Sequence, residues 1–242
     1  MGDVVPAAPV PRIPVRNRAG ESLGEFPVRR IYCVGRNFAE HAREMGAAVP
    51  ASKAERGNPV FFMKPADAIV VDGVVPYPPG TSDLQHEVEL VVALGADAPP
   101  GELDVDAAMA LVYGYGIGLD LTRRDLQAAA KAKGLPWDIG KGFDHSAPVS
   151  TLLPADEAGD VATMAIELAV NGERRQHGDL RDLVWNIADI LHELSKLYAL
   201  RAGDLVFMGT PAGVAALLPG DSFHARLGDI AELQGRISST AV

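Results

Sequence analysis

Two glutamates one residue apart, Glu87 and Glu89, begin an apolar segment that predicts a β-strand as far as Leu94. Side chains alternate between the two faces of a strand, so both carboxylates point the same way, with their backbones roughly 6.6 Å apart. The same face continues with apolar side chains, which makes a solvated surface a poor explanation for the pair. Two carboxylates at this place need a cationic partner.

A second segment that predicts a strand, Tyr113–Leu121, places Asp120 near its end. Gly116 and Gly118 share a face with Asp120, and their missing side chains leave space above it. Three carboxylates with no cysteine among them favour a hard divalent cation, Mg²⁺ or Mn²⁺. An exposed edge strand followed by a helix-capping aspartate fits the same pattern, and the pattern alone does not choose between the two.

Three other features of the sequence argue against common types of site. The glycines of 114–118 are spaced G-x-G-x-G, and no acidic residue follows at the distance that dinucleotide binding requires. Gly134–Lys141 resembles a phosphate-binding loop but is one residue too long, and Gly142 stands where Ser or Thr belongs. The single cysteine, Cys33, lies in an apolar run, which predicts a packed core thiol and excludes an internal disulfide.

The composition limits the class of protein. The chain has 242 residues, with 22 basic and 32 acidic side chains and a formal net charge of −10. That balance argues against nucleic acid or an anionic membrane as a partner, because both attract clustered Lys and Arg. No apolar run approaches the ~20 residues of a membrane span, and residues 1–14 lack the pattern of a secretion signal. We therefore expect a cytoplasmic enzyme or binding protein.

The elements that must position the carboxylates are mostly strands. Residues 1–27 predict an N-terminal arm with one hairpin, residues 28–242 predict the catalytic domain, and residues 46–58 predict a loop. Capping and stop signals predict two helices: Asn37–Met45, capped by Asn37, and Thr122–Lys133, which begins with a capping box of Thr122 and Asp125. An apolar stripe that includes Ile190, Leu191 and Leu194 predicts a third helix over Asn186–Leu200. The clearest predicted strands are Ile31–Val34, Val60–Met63, Glu87–Leu94, Tyr113–Leu121, Met164–Val170 and Leu205–Met208. Because helices and strands do not alternate regularly, the sequence favours an α+β fold built on a mixed sheet or barrel with a few flanking helices.

Five motifs follow one another along the chain: YCVGRNFAEH from Tyr32, MKPADA from Met63, HEVEL from His86, GLDLTRRD from Gly118 and GTPAGV from Gly209. In this order they resemble the fumarylacetoacetate hydrolase family, and residues 27–30, 144–148 and 182–185 look most like its fumarylpyruvate hydrolase branch. The resemblance runs from about Val28 to Val214. It departs from the family at Ala215, where a second glycine is usual, and after Pro219.

The resemblance implies a mixed β-sandwich roll, usually a homodimer, that acts on a small 2-oxo acid. It also implies that Glu87, Glu89 and Asp120 bind Mg²⁺ or Mn²⁺. The family cleaves a C–C bond in acylpyruvates and related β-diketo acids, or decarboxylates or isomerises related 2-oxo acids.

The resemblance also assigns three catalytic residues. His41 and Glu44 match the family's His–Glu pair, and their i, i+3 spacing places them on one helix face. The carboxylate would orient the imidazole for water activation, in a segment that orders over the substrate; a surface ion pair fits the same spacing. Lys141 matches the lysine that stabilises negative charge on a substrate oxygen, and an exposed surface lysine is the alternative.

The remaining matched positions predict contacts with the substrate. Lys64 and Gln127 match pocket positions, and Thr210 matches the loop that binds the substrate carboxylate. A second carboxylate on the substrate would need its own cation. Arg36, Arg123 and Arg124 are the candidates, with Arg124 preferred; the alternative is that both Arg123 and Arg124 cover the first turn of a solvated helix.

These assignments predict that the chain hydrolyses an acylpyruvate, with fumarylpyruvate giving fumarate and pyruvate as the favoured reaction. The first alternative is an oxaloacetate decarboxylase or isomerase that uses the same site, because a chelated 2-oxo acid is an electron sink for either bond. The second alternative is a non-catalytic 2-oxo acid binding protein. Mere binding needs no water activator, so the presence of His41, Glu44 and Lys141 counts against it.

Overall fold

The computed structural model describes residues 4–44 and 55–239, and at His41 and Ala42 it describes the backbone alone. The predicted helix end at Met45 and most of the predicted loop 46–58 therefore lie outside the described residues. Within them, no helix combines the length and apolar character that crossing a membrane requires.

Strands dominate the described chain. In chain order they are β1 (Arg12–Arg16), β2 (Ser22–Pro27), β3 (Arg30–Gly35), β4 (Val60–Lys64), β5 (Ile69–Val70), β6 (Val74–Pro76), β7 (Leu84–His86), β8 (Val88–Leu94), β9 (Val112–Leu119), β10 (Thr122–Arg123), β11 (Ala147–Pro148), β12 (Leu153–Pro154), β13 (Ala165–Val170), β14 (Glu173–Asp179), β15 (Asp204–Phe207), β16 (Ala215–Ala216), β17 (Ser222–Leu227) and β18 (Ala231–Ser238). The helices are α1 (Ala39–Glu44), α2 (Val105–Met109), α3 (Arg124–Ala132), α4 (Asp138–Lys141), α5 (Ala155–Ala158) and α6 (Ile187–Ser195).

Two mixed sheets organise these strands. The larger has the order β12-β9-β8-β15-β3-β4, in which β15 and β3 are parallel and all other neighbours are antiparallel. The second has the order β14-β13-β17-β18-β6, with only β18 and β6 parallel. The mixed sheets and the few short helices confirm the expected α+β class.

The centre of the larger sheet is apolar on both faces. All seven residues of β8 are buried, because β9 and β15 flank the strand. Val88, Leu90 and Val92 face one core cluster, whereas Val91 and Ala93 face a second. Each buried side chain of this size stabilises the fold by ~1.5–3 kcal/mol.

The N-terminal arm closes the second cluster. β1 and β2 form the expected antiparallel hairpin, and Ile13, Val15 and Phe26 from it are buried beside Cys33 and Phe207. Cys33 is fully buried, as predicted, and burial raises the pKa of its thiol. The hairpin thus covers the face of the sheet opposite the main core.

The predicted start of the first helix is wrong. Asn37 was expected to cap it, but the helix runs only from Ala39 to Glu44. The Asn37 amide is buried instead, where it donates to the carbonyls of Met208 (2.7 Å) and Trp185 (3.0 Å) and accepts from the Trp185 N–H (2.8 Å). A local capping pattern was here overridden by a tertiary contact.

The cap position of the second predicted helix lies one residue later than expected, at Arg123, for the same kind of reason. Thr122 belongs to β10, and α3 starts at Arg124 without a side-chain cap. Asp125, the expected partner of Thr122 in the cap, accepts instead from the Thr81 hydroxyl (2.6 Å). The Thr122 hydroxyl contacts Lys141 and Glu87, which makes it part of the site described below.

The third predicted helix is correct at its start and too long at its end. Asn186 caps it by accepting from the Asp189 N–H at 2.8 Å, and Ile190, Leu191 and Leu194 are buried as the apolar stripe predicted. The helix ends at Ser195, where the Ser195 hydroxyl donates to the carbonyl of His192.

Candidate active site

Three carboxylates meet where β7, β8 and β9 end or begin. Glu87 joins β7 to β8, Glu89 is the second residue of β8, and Asp120 directly follows β9. The antiparallel register pairs Glu89 with Gly118, and the Asp120 N–H donates to the Glu87 carbonyl at 2.8 Å. One oxygen from each carboxylate lies within 4.8 Å of the other two, and all three residues are buried. We call these residues the carboxylate cluster.

This geometry decides between the two readings of the sequence pattern. β8 lies between β9 and β15, so the exposed edge strand is excluded. The expectation that the glycines of β9 leave open space above the cluster is wrong. A Cβ at Gly118 would lie 2.8 Å from the Phe207 ring and 2.9 Å from Val91. The glycine is required by core packing rather than by a ligand.

Two buried lysines hold the cluster. The Lys141 ammonium lies 2.6 Å from an Asp120 oxygen and 2.9 Å from a Glu87 oxygen. Lys64 lies 2.8 Å from the other Asp120 oxygen, and it also donates to the backbone carbonyls of Leu121 (2.9 Å) and Lys141. Both lysines are 2% exposed, so these contacts form where solvent screening is weak. The alternative of an exposed surface lysine at position 141 is excluded.

The cluster shifts the acidity of its own members. Burial, followed by the neighbouring charges of Asp120 and Glu87, raises the pKa of Glu89 well above its usual value. Burial disfavours charge on Lys141, but the Asp120 and Glu87 carboxylates outweigh it, and the net effect is a raised pKa. The anionic form of Glu89 therefore needs further positive charge.

The residues present fit a divalent metal ion. All three donor groups are carboxylates, which suit Mg²⁺ and Mn²⁺ rather than a softer metal. Their oxygens already converge. A dication is also the kind of charge that would stabilise Glu89 as an anion. The only described hydrogen bond to that carboxylate comes from the Gly209 N–H at 2.8 Å.

A cavity opens directly above the cluster. Its described lining comprises Val34, Gly35, Arg36, Phe62, Glu87, Glu89, Arg124, Gln127, Lys131, Trp137, Lys141 and Thr210. The structure thus brings Arg36, Arg124, Gln127, Lys141 and Thr210 together beside two of the carboxylates. Lys64 is absent from the described lining, because its ammonium is below the cluster on Asp120.

The two arginines at the start of α3 have different surroundings. Arg124 donates to Gln85 (2.8 Å), Gln127 (2.6 Å) and Glu87 (2.5 Å) through its three nitrogens. The Arg124 guanidinium therefore holds Glu87, a predicted metal ligand, in place. Arg123 lies against the Phe143 ring, 4.3 Å from its centre, and takes no place in the described lining of the cavity.

Helix α1 lies next to the loop that contains Thr210. Both oxygens of Glu44 lie 3.3 Å from the N–H of Gly213, four residues after Gly209. The side chain of His41 lies outside the described part of the structure, so its pairing with Glu44 stays a prediction.

Some residues at the site were not singled out from the sequence. Phe62 and Trp137 line the cavity with apolar surface, and their rings are 6.1 Å apart. The Thr122 hydroxyl accepts from Lys141 at 2.7 Å, and its single hydrogen is shared between the backbone carbonyl of Asp120 (3.2 Å) and the Glu87 carboxylate (3.4 Å). Its position two residues after Asp120, on the same side of an extended segment, was the available signal.

The sequence of this chain is similar to a known protein family and to characterised proteins. The model of the fumarylacetoacetate (FAA) hydrolase C-terminal family matches residues 30–238. The oxaloacetate tautomerase YcgM of Escherichia coli is 41% identical over 203 residues, which cover 83% of this chain and 89% of that protein. A mitochondrial oxaloacetate decarboxylase of Dictyostelium discoideum is 37% identical over 194 residues, covering 79% and 85%.

A solved structure is similar over almost its whole length. It is the crystal structure of fumarylpyruvate hydrolase from Pseudomonas aeruginosa in complex with Mn²⁺ and pyruvate. It has 42% sequence identity and a TM-score of 0.86, and the match covers 96% of this chain and 98% of that one.

Proposed function

This chain belongs to the fumarylacetoacetate hydrolase family, and we propose that it is a divalent-metal-dependent acylpyruvate hydrolase that converts fumarylpyruvate to fumarate and pyruvate. One observation carries the proposal. Glu87 and Glu89 of the carboxylate cluster line one cavity together with Lys141 and Thr210. That cavity has acidic ligands for a metal, a buried cation and a hydroxyl, which together suit a 2-oxo acid.

The metal would be held by Glu87, Glu89 and Asp120. A Mg²⁺ or Mn²⁺ ion bound there supplies Lewis acidity to the 2-oxo acid end of the substrate. The Pseudomonas relative, crystallised with Mn²⁺ and pyruvate, supports this part of the proposal. Lys64 and Arg124 keep the ligands in place, because each forms an ion pair with one of the carboxylates.

The chain's own groups would handle the protons and the developing charge. We assign water activation to His41 and Glu44: the imidazole takes a proton from water, and the carboxylate orients the ring. The hydroxyl adds to the acyl carbonyl, and the bond to the pyruvate methylene carbon breaks. Lys141, whose raised pKa keeps it protonated, stabilises the leaving enolate. The proton that the imidazole took from water then passes to the enolate carbon, which gives pyruvate and returns His41 to its neutral form.

Oxaloacetate tautomerase is the second candidate function. The similarity to the Escherichia coli enzyme favours it, and the Dictyostelium relative extends the same argument to oxaloacetate decarboxylation. Neither reaction needs an attacking water. Decarboxylation therefore does not need the His41–Glu44 pair, whereas tautomerisation needs a base that moves a proton from C3, a task that suits the same pair. Both would still need the carboxylate cluster and Lys141.

The cation that meets a second substrate carboxylate is a separate question. Arg124 was preferred from the sequence, but its nitrogens are engaged by Glu87, Gln85 and Gln127. Arg36 and Lys131 also line the cavity, and neither makes a hydrogen bond or ion pair with any described residue. We therefore now favour Arg36, with Lys131 beside it, as the partner of the fumaryl carboxylate.

One substrate panel tests the proposal. Purified protein is assayed with fumarylpyruvate, acetylpyruvate and oxaloacetate, each with Mn²⁺, with Mg²⁺ and with a chelator, and the products are identified by NMR. We expect fumarylpyruvate to be cleaved with the highest kcat/KM, and only with metal. Rapid keto–enol exchange of oxaloacetate with no cleavage of either acylpyruvate would replace the proposal with the second candidate.

We further propose that the protein is a cytoplasmic homodimer. The family resemblance supports the dimer, and the acidic composition with a single buried cysteine agrees with a reducing compartment. Light scattering of the purified protein tests the oligomeric state, for which we expect twice the 25.5 kDa chain mass.

A further inference from the structure

Gln176 is a buried polar residue that no sequence motif singled out. It lies on β14, whose neighbouring side chains at 173–175 and 177 are exposed. Gln176 itself is 1% exposed. A buried carboxamide is costly to leave unpaired, so its partners indicate what it does.

All four hydrogen-bonding positions of the Gln176 amide are used. Its oxygen accepts from the Val88 N–H (3.1 Å) and lies 2.8 Å from Nδ1 of His86. Its nitrogen donates to the Thr210 hydroxyl (2.8 Å) and to the Pro211 carbonyl (2.9 Å). A backbone N–H can only donate and a carbonyl can only accept, so these two partners fix the orientation of the amide.

The two ends of this amide reach the two halves of the site. His86 and Val88 are the residues on either side of Glu87, a member of the carboxylate cluster. Thr210, which lines the cavity, and Pro211 are neighbours in the loop after β15. β14 also packs closely against this loop. A Cβ at Gly178 of β14 would lie 2.7 Å from Pro211, and a Cβ at Gly213 of the loop would lie 2.2 Å from the Arg175 carbonyl.

The direction of the bond to Thr210 has a chemical consequence. A threonine hydroxyl has one hydrogen to donate and lone pairs that accept. Gln176 fills an acceptor position, and within the described contacts the Thr210 hydroxyl has no acceptor of its own. Its hydrogen is therefore left for a group in the cavity.

We propose that Gln176 is a positioning residue that makes Thr210 a hydrogen-bond donor to the carboxylate of a bound 2-oxo acid and holds it in register with the metal-binding strand. This inference rests on the proposed function, because it takes a 2-oxo acid as the ligand. Glu87 keeps its place without Gln176, because β7 pairs with β10 and β16, and β8 pairs with β9 and β15. The effect of Gln176 thus falls on ligand affinity rather than on metal affinity.

A double-mutant cycle with a binding readout tests this role. Isothermal titration measures the Kd of pyruvate for the Mn²⁺-loaded protein and the Kd of Mn²⁺ itself. We expect Gln176→Met to weaken pyruvate about tenfold, the effect of one hydrogen bond to a charged group, and to change Mn²⁺ affinity less than about threefold. In a Thr210→Val background, the same substitution should change pyruvate affinity less than about twofold, because Thr210 is the residue through which it acts.

Controls separate this role from general damage. Gln234→Met makes the same change at an exposed glutamine of β18 and should leave both affinities unaltered. If Gln176→Met does not fold, Gln176→Asn carries the test, since it keeps an amide but shortens its reach by one methylene. An equal loss of pyruvate affinity in both backgrounds, or a parallel loss of Mn²⁺ affinity, would overturn the proposal.

The readout also separates this inference from the proposed function. Pyruvate binding needs no turnover. If the wild-type protein cleaves no acylpyruvate but the Gln176 and Thr210 variants show the coupled loss of pyruvate affinity, the proposed reaction alone is refuted. If the wild-type protein cleaves fumarylpyruvate but the losses of pyruvate affinity in the two variants are additive, the role of Gln176 alone is refuted.

Discussion

The carboxylate cluster and helix α1 are built in opposite ways. The cluster is carried by β-strands in the middle of a six-stranded sheet, and its residues are at most 6% exposed. Its charged contacts with Lys64 and Lys141 are 2.6–2.9 Å long. Helix α1 has six residues, and the described contact of Glu44 with Gly213 is 3.3 Å long at an exposed position.

This difference separates two tasks of the proposed enzyme. A helix of six residues is too short to be stable by itself, so its position depends on tertiary contacts. The cluster is held by strand pairing and by its ion pairs with Lys64 and Lys141. We therefore expect metal binding to survive changes in α1, and hydrolysis to depend on both regions.

The largest effect should follow from removal of a carboxylate of the cluster. Glu89→Ala takes away a metal ligand, and we expect Mn²⁺ binding and turnover to fall below detection while the protein stays folded. Titration with Mn²⁺, circular dichroism and the fumarylpyruvate assay measure the three properties. Glu167→Ala, at a half-buried glutamate of β13 outside the described lining of the cavity, is the matched control and should retain all of them. Normal turnover of Glu89→Ala would remove this residue from the metal site.

Substitutions in α1 should have smaller effects on activity, and these effects should fall on hydrolysis and not on decarboxylation. His41→Ala and Glu44→Gln should each lower kcat for fumarylpyruvate by roughly 10²–10⁴-fold, the contribution of a general base. Mn²⁺ affinity should stay the same. Oxaloacetate decarboxylation should persist in Glu44→Gln, because no water attacks in that reaction. The assignment of α1 is wrong if both variants keep near-normal kcat for hydrolysis.

A third pair of variants tests which arginine meets the substrate between the two regions. Arg36→Met should lower kcat/KM for fumarylpyruvate about 30-fold more than for acetylpyruvate, a differential of ~2 kcal/mol for a lost charge pair. Arg124→Met should lower kcat/KM for both substrates equally, since Arg124 is hydrogen-bonded to the metal ligand Glu87 rather than to the substrate. A substrate-dependent loss in Arg124→Met and an equal loss in Arg36→Met would restore the choice made from the sequence.

The smallest effect on activity should come from the contact that fixes the entry to α1. Asn37→Ala leaves the Met208 and Trp185 carbonyls without their donor, and we expect it to destabilise the protein by about 1–3 kcal/mol. Thermal unfolding measures this loss. The kcat of the folded fraction should stay within about threefold of wild type, because strands hold the cluster. A large loss of Mn²⁺ affinity would mean that the two regions are not independent.

The sequence predicted the two regions with different success, for a physical reason. Strand alternation placed Glu87 and Glu89 on one side, and this local rule holds wherever the strand lies in the sheet. The cap expected at Asn37 and the capping box expected at Thr122 and Asp125 were wrong. Short polar side chains can satisfy distant groups as well as a local helix end.

Other features depended on contacts that no local pattern records. The family resemblance named Lys64 and Arg124 as substrate contacts, but their partners are Asp120 and Glu87, which come from other strands. Most of the five-stranded sheet was absent from the predicted strands. β14 is almost entirely polar and exposed, so it lacks the apolar alternation that reveals a strand.

The most direct test of the central claim is a metal titration of fumarylpyruvate cleavage. Metal-free protein is titrated with Mn²⁺ while NMR follows fumarate and pyruvate in the same sample. The account predicts no cleavage without metal, and a rate that rises in proportion to bound Mn²⁺ and reaches a plateau at one ion per chain, with the two products in equal amounts. Full cleavage by protein whose measured metal content is zero, or a fully loaded protein that leaves fumarylpyruvate intact, would contradict it.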